Sequence, residues 1–90
     1  MLNSSDRKAL RAKAHHLKPV VALGQKGLTP AVLNSIDEAL TVHELIKVRL
    51  RGVPREDRDA TVEAIAAPLA AEAIGLVGSI LILYRQNPEQ

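Results

Sequence analysis

Cysteine, phenylalanine and tryptophan are absent from this chain of 90 residues, and Tyr84 is the only member of the Phe, Trp and Tyr group. Without cysteine the chain cannot form a disulfide scaffold, a thiolate zinc site or a cysteine nucleophile, which fits a reducing compartment. With one such ring it cannot bind nucleic acid by stacking bases on a sheet of aromatic residues. No apolar run approaches the ~20 residues of a membrane span, and the start is not typical of a signal peptide. We therefore expect a cytoplasmic location and no membrane partner.

Basic residues are concentrated in the first third of the chain, although the net charge is only +2. Residues 1–27 contain six basic residues and one acid, a net charge of +5, whereas residues 28–90 contain six basic and nine acidic residues, a net charge of −3. Such an asymmetry is typical of a segment that meets a polyanion, or of a solvated helix.

The hydrophobic periodicity alternates between helical and strand spacing, which predicts the order α-β-α-β-α-β-β. The predicted helices run from Ser5 to about His16, from Pro30 to about His43 with Thr29 as N-cap, and from Glu56 to about Glu72 with Pro68 kinking or ending the last one. The predicted strands are Val20–Leu23, Leu45–Arg51, Ile74–Val77 and Ile80–Tyr84, the last two joined by a hairpin turn at Gly78-Ser79. This order predicts an α/β domain with some parallel pairing and helices covering the sheet.

The chain lacks the patterns of an enzyme. His15, His16 and His43 have no partner at a metal-ligand spacing, and the acids of residues 56–59 alternate with arginines as in a solvated helix start. No serine lies in a nucleophile elbow, and no P-loop is present. We therefore expect no catalysis, no metal or cofactor, and no small-molecule substrate.

The segment Gly24-Gln25-Lys26-Gly27 lies between a predicted strand and the helix that begins after Thr29. Two glycines allow a close approach to the backbone, Lys26 adds a positive charge, and a helix N-terminus attracts anions, so this loop suits a phosphate. A glycine-x-x-glycine loop also holds the nucleic acid backbone in KH domains. The alternative is a strand-to-helix turn that needs glycine dihedral angles.

The first predicted helix has a basic face beside a narrow apolar stripe. If the helix persists far enough, five basic residues project within an arc of roughly 100°: Arg7, Lys8, Arg11, His15 and Lys18. The stripe consists of Leu10, Ala14 and Leu17. The alternative is a solubilising face, although such faces usually mix both signs. Lys47, Arg49 and Arg51 form a second basic row, which could instead pair with the acids of the third helix.

Three segments resemble the signatures of the CRM domain, the chloroplast RNA splicing and ribosome maturation module, in its free-standing bacterial YhbY-like form. These segments are Ala14–Thr29, His43–Arg49, and Val77-Gly78 followed by Leu81–Arg85. The resemblance implies a single compact domain over residues 1–86 with a four-stranded mixed sheet, similar to the C-terminal domain of initiation factor three. A short polar tail, residues 87–90, would follow. Ser79 and Pro68 depart from the family pattern.

The resemblance also implies a function. It predicts a non-catalytic RNA-binding protein that assists assembly of the large ribosomal subunit and binds ribosomal RNA of its precursor. Carried over by position, the RNA-binding residues would be the loop, the helix start after it and the basic first helix: Gly24, Gln25, Lys26, Gly27, Thr29, Arg7, Lys8, Arg11 and Lys18. Because no aromatic residue is available near the loop, contact with the phosphate backbone would dominate. The alternative is a protein-interaction module whose basic face binds an acidic protein.

Overall fold

The computed structural model describes residues 2–87. Three helices are present: α1 (Ser4–Ala14), α2 (Pro30–His43) and α3 (Arg58–Leu69), the last preceded by a 3-10 turn over Arg55–Asp57. The four strands of this region are β1 (Val21–Ala22), β2 (Leu45–Arg49), β3 (Glu72–Val77) and β4 (Ile80–Tyr84), and the last two follow each other after α3. The predicted α/β class and order of elements are confirmed.

The four strands form one mixed sheet in the order β1-β2-β4-β3. Only β1 and β2 pair in parallel, while β2–β4 and β4–β3 are antiparallel. Strand β1 is shorter than predicted, but its pairing continues on both sides, because the N–H groups of Val20 and Leu23 donate to the carbonyls of Lys47 and Arg49 (3.1 and 2.9 Å). Strand β2 ends before the predicted Arg51, since the chain turns at Gly52, whose φ is +79°.

The two faces of the sheet are covered unequally. On one face α2 and α3 pack over the main core, which includes Ile46, Val48 and Leu81 of the central strands. Each fully buried Leu or Ile side chain there contributes roughly 1.5–3 kcal/mol. On the other face α1 contributes only a small cluster, in which Ala14 packs with Ile74 and Ile82. The alternation predicted for β2 is confirmed, because Ile46, Val48 and Leu50 are all buried.

The helix ends reflect local capping. Asn3 and Asp6 form a capping box at the start of α1, and the Thr29 Oγ1 accepts from the Val32 N–H (3.1 Å) at the predicted start of α2. Helix α1 ends at Ala14, two residues before the predicted limit. Pro68 lies in the last turn of α3, which ends at Leu69. The helix therefore ends before Glu72, in agreement with the early end predicted at Pro68, since Ala70 adopts the left-handed conformation and Glu72 begins β3.

The C-terminal segment is attached to α2. The Asn87 N–H donates to the Glu44 carboxylate (2.6 Å), and its side-chain amide donates to the Thr41 carbonyl (3.1 Å). Just before it, Arg85 forms an ion pair with Asp37 (2.6 Å). Of the polar tail predicted over residues 87–90, residues 88–90 lie outside the described residues.

Candidate nucleic-acid interface

The glycine loop is a tight turn with an exposed tip. The Gly27 N–H donates to the Gly24 carbonyl (3.0 Å), and this bond leaves Gln25 and Lys26 exposed at the end of the turn. Gly27 has a φ of +70°, which disfavours any residue with a Cβ atom. Gly24 does not have a positive φ, and a Cβ atom added to either glycine would meet nothing within 4 Å. The loop backbone is therefore open to solvent.

Helix α2 begins directly after this loop, so its N-terminal end lies beside it. The aligned peptide dipoles place a partial positive charge at this end. The Thr29 side chain, predicted as part of the site, is already engaged as the N-cap of the helix. Its role in the structure is thus to fix the direction in which α2 leaves the loop.

A second turn joins the glycine loop at the same end of the sheet. Since β1 and β2 run in parallel, the turn at Arg51-Gly52 that follows β2 lies beside the loop that follows β1. The two turns enclose a shallow cleft of about 440 Å³, to which Gln25 and Arg51 contribute polar side chains. Among the described residues, no acid lines this cleft, whereas Asp57 lines the neighbouring cleft on the side of α3.

Two of the predicted basic residues of α1 contact strand β3. Arg7 forms an ion pair with Glu72 (2.8 Å) and also donates to the Ala73 carbonyl (3.0 Å). Arg11 donates to the Ile74 carbonyl (3.5 Å), and its Cδ lies 3.4 Å from where a Cβ of Gly75 would stand. Because β3 is an edge strand, these arginines cover carbonyl groups that would otherwise be open to another chain.

The other two predicted basic residues lie apart from these contacts. Lys8 is exposed on α1. Lys18 lies beyond the helix, in a shallow cleft with His43 and Leu45 near the beginning of β2. The glycine loop is at the opposite end of the sheet, because the parallel strands carry the chain away from Lys18 toward Arg49. The structure therefore places Arg51, but not Lys18, beside the glycine loop.

The second basic row lies on the face of the sheet that α1 partly covers. Lys47 and Arg49 are the cross-strand partners of Ile82 and Ile80, so their side chains point away from α3. The Lys47 ammonium donates to the Leu17 carbonyl (3.0 Å). For Lys47 and Arg49 the alternative in which this row pairs with the acids of the third helix is wrong, because α3 packs on the other side of the sheet.

The described residues form neither a candidate metal site nor a membrane-spanning helix. Among residues 2–87, no group of three histidine, cysteine or acidic side chains could hold a metal ion. The rings of His15 and His16 contact each other edge to face, with centroids 5.4 Å apart. No helix within this part of the chain is long and apolar enough to cross a membrane.

Comparison with known proteins assigns the family. The model of the CRS1/YhbY (CRM) domain matches residues 2–85. The chain belongs to this family. A Haemophilus influenzae protein named "RNA-binding protein" is 43% identical over 88 residues, which covers 98% of this chain and 89% of the relative. A Pseudomonas aeruginosa protein named as a "probable RNA-binding protein" is 36% identical over 88 residues, with coverage of 98% and 85%.

The fold of this CRM domain also has a solved counterpart. The solution structure of a hypothetical protein from Staphylococcus aureus superimposes with a TM-score of 0.87 at 28% identity, covering 100% of this chain and 94% of that one. The resemblance to the CRM family and the predicted fold are both confirmed. From the sequence alone, Arg51 is not assigned to the site at the glycine loop. The parallel pairing predicted for part of the sheet was a signal that could have placed it beside the loop.

Proposed function

We propose that this protein is a non-catalytic RNA-binding protein that holds the phosphate backbone at the glycine loop, Gly24–Gly27, and assists assembly of the large ribosomal subunit. Membership of the CRM family and the names of the relatives support RNA as the partner. The part concerning the ribosomal precursor follows from the family resemblance. The loop geometry supports the mode of contact.

The main support for the proposed contact is the presence of glycine at position 24. At Gly27 the positive φ is a sufficient reason for glycine, because an L side chain would be strained there. At Gly24 the backbone does not have a positive φ, and an added Cβ atom would meet no atom of residues 2–87 within 4 Å. Neither folding requirement accounts for glycine at this position. Close approach of an external backbone, which a side chain would obstruct, does account for it.

The charges around the loop favour a phosphate. The ammonium of Lys26 and the guanidinium of Arg51 supply positive charge, and the N-terminal end of α2 adds the dipole of a helix 14 residues long. We assign the direct contacts to Gly24, Gln25, Lys26 and Gly27. The residues Arg7, Lys8, Arg11 and Lys18 contribute the longer-range attraction that brings RNA to the protein, and of the three on α1, Lys8 and Arg11 are exposed.

The loop is tested by reversing one charge. Lys26→Glu is compared with Lys13→Glu, which makes the same change of net charge at an exposed position of α1 outside the proposed contacts. The dissociation constant is measured for a 12-nucleotide single-stranded RNA at several salt concentrations. We expect Lys26→Glu to weaken binding to every RNA tested and to reduce the salt slope by about 0.7, the value for one phosphate contact on a single strand. Equal effects of the two variants would overturn the assignment of the loop.

The ribosomal role is tested in cells. A tagged protein is expected to sediment with precursors of the large ribosomal subunit and to be released when the particles are treated with nuclease. Retention after nuclease treatment would instead support the alternative in which the basic surface binds an acidic protein. Absence from the particles would overturn the ribosomal part of the proposal and leave the loop assignment to the affinity measurements.

A further inference from the structure

Helix α1 leaves part of its own sheet face uncovered. The helix contacts β3 near Ala73 and Ile74 and packs over Ile82, but it does not extend over the end of the sheet next to the hairpin turn. At that end Val77 is 67% exposed and its cross-strand partner Ile80 is half-buried. Two branched aliphatic side chains thus lie side by side and accessible, on the face opposite the main core.

A small cleft lies between this open end and the last turns of α1. Its volume is about 200 Å³, and it has an aliphatic floor and a basic rim. The floor consists of Val77, Ile80 and Ile82, and the rim of Arg11, His15 and Lys47. Within residues 2–87, no acidic side chain lines it. An apolar surface with the guanidinium of Arg11 and the ammonium of Lys47 at its rim is complementary to a flat ring attached to a negatively charged backbone.

The cleft is connected to the glycine loop by a row of positive charges. Lys47 lies at the rim, and Arg49 is two residues further along the same face of β2, about 7 Å away at the rise of a strand. Arg51 follows and lines the cleft beside the glycine loop. The row ends where the proposed phosphate contact begins, so one extended strand of nucleic acid could follow it.

We propose that this cleft holds one unpaired nucleobase of the RNA whose backbone is bound at the glycine loop. The inference rests on the proposed function and adds a base-binding site to it. The face of the base packs on the aliphatic floor, while Lys47 and Arg11 donate to its edge or to the adjoining phosphate. Unpaired bases are the usual targets of sequence-sensitive RNA recognition, and proteins pack apolar as well as aromatic side chains against an unstacked base. The protein therefore contacts bases as well as backbone.

Methyl NMR tests the site directly. The full chain, labelled at Ile, Leu and Val methyl groups, is titrated with a 12-nucleotide oligouridylate and with an abasic ribose-phosphate oligomer of the same length. We expect the oligouridylate alone to produce ring-current shifts at the methyls of Val77 and Ile80, while both oligomers shift the amides of the glycine loop. Val42, which is 70% exposed on α2, serves as the control and should not move.

The outcomes separate this inference from the proposed function. The base-binding site is refuted, and the loop contact stands, if the loop amides respond to both oligomers while the floor methyls shift by the same amount with both oligomers or do not shift at all. If neither set responds at low salt, RNA binding itself is refuted. If only the floor methyls respond, the cleft is supported and the loop assignment is refuted.

A substitution provides an independent measurement. Val77→Gln is expected to weaken binding of the oligouridylate about five-fold, equivalent to roughly 1 kcal/mol, because a polar amide replaces the aliphatic surface on which the base packs. It should change the affinity for the abasic oligomer less than about two-fold, a difference well under 1 kcal/mol. Val42→Gln makes the same change at an exposed position outside the cleft. The inference would be overturned if Val77→Gln lost the same affinity for both oligomers, or if Val77→Gln and Val42→Gln lost the same affinity for the oligouridylate.

Discussion

The guanidinium of Arg85 connects three elements, and its removal offers a quantitative test of the fold. It lies just after β4, pairs with the Asp37 carboxylate (2.6 Å) and donates to the carbonyls of Asp37 and Leu69 (both 3.0 Å). It also donates to the Thr41 hydroxyl (3.0 Å). One side chain thus joins the end of the central strand β4 to the middle of α2 and the last residue of α3.

The expected cost follows from these contacts. The ion pair is partly exposed, at 22% for Arg85 and 45% for Asp37, and contributes about 0.5–1 kcal/mol. Each bond from the guanidinium to a carbonyl contributes about 1 kcal/mol after allowance for solvent. Arg85→Met should therefore lower the free energy of unfolding by about 2–3 kcal/mol and the Tm by roughly 10–20 °C in a domain of this size.

The assay is urea unfolding followed by far-UV circular dichroism, because the chain has no tryptophan to report by fluorescence. Arg49→Met is the matched control, since Arg49 is exposed on β2. Asp37→Asn removes the charge but keeps both carbonyls, so it should cost less than Arg85→Met. A decrease below about 0.5 kcal/mol for Arg85→Met, within the range of ordinary surface substitutions, would refute the reasoning.

Three further variants address single features. Ala70→Gly should raise the free energy of unfolding by about 1 kcal/mol, because Ala70 has a φ of +51° that glycine adopts without strain. Thermal unfolding followed by circular dichroism measures this change. A decrease in stability would show that the alanine is not strained. Thr29→Ala should cost about 1 kcal/mol through loss of the N-cap of α2, and Thr29→Ser should restore most of the stability. Arg7→Met should cost about 1 kcal/mol because it uncovers the Ala73 carbonyl, whereas Lys8→Met should be neutral in the same urea unfolding assay; equal values would show that Arg7 does not stabilise β3.

Local patterns are sufficient to predict the order of elements. The switch from helical spacing to alternation at Leu45 and the Thr29-Pro30 helix start both act through neighbouring residues, and the structure has the corresponding elements. The end of α3 is predicted only within a few residues, because the apolar spacing continues through Ala70 and Ala71 whereas Pro68 predicts an earlier end, and the backbone reverses at Ala70. A left-handed alanine leaves no mark in the sequence comparable to that of a glycine.

The candidate site is only partly predictable, because pairing partners distant in the chain decide which charges are free. A helical projection places Arg7 and Arg11 on a basic face, but it contains no information about β3. Arg7 meets Glu72, 65 residues away, and both arginines donate to carbonyls of the edge strand. The projection also requires a helix that continues to Lys18, whereas α1 ends at Ala14.

The distribution of engaged and available cations changes the meaning of the charge asymmetry. The first third of the chain carries +5, yet two of its six basic residues bind carbonyls of β3 and so contribute less to a polyanion than their number indicates. On the open face of the sheet, β2 presents Arg49 and also Lys47, whose ammonium donates to the Leu17 carbonyl, and Arg51 follows beside the glycine loop. These three residues belong to the part of the chain whose net charge is negative, and the acids of α3 lie on the far side of the sheet from Lys47 and Arg49. Net charge along the sequence therefore understates the cationic surface, because the sheet separates the bases of one segment from the acids of the same segment.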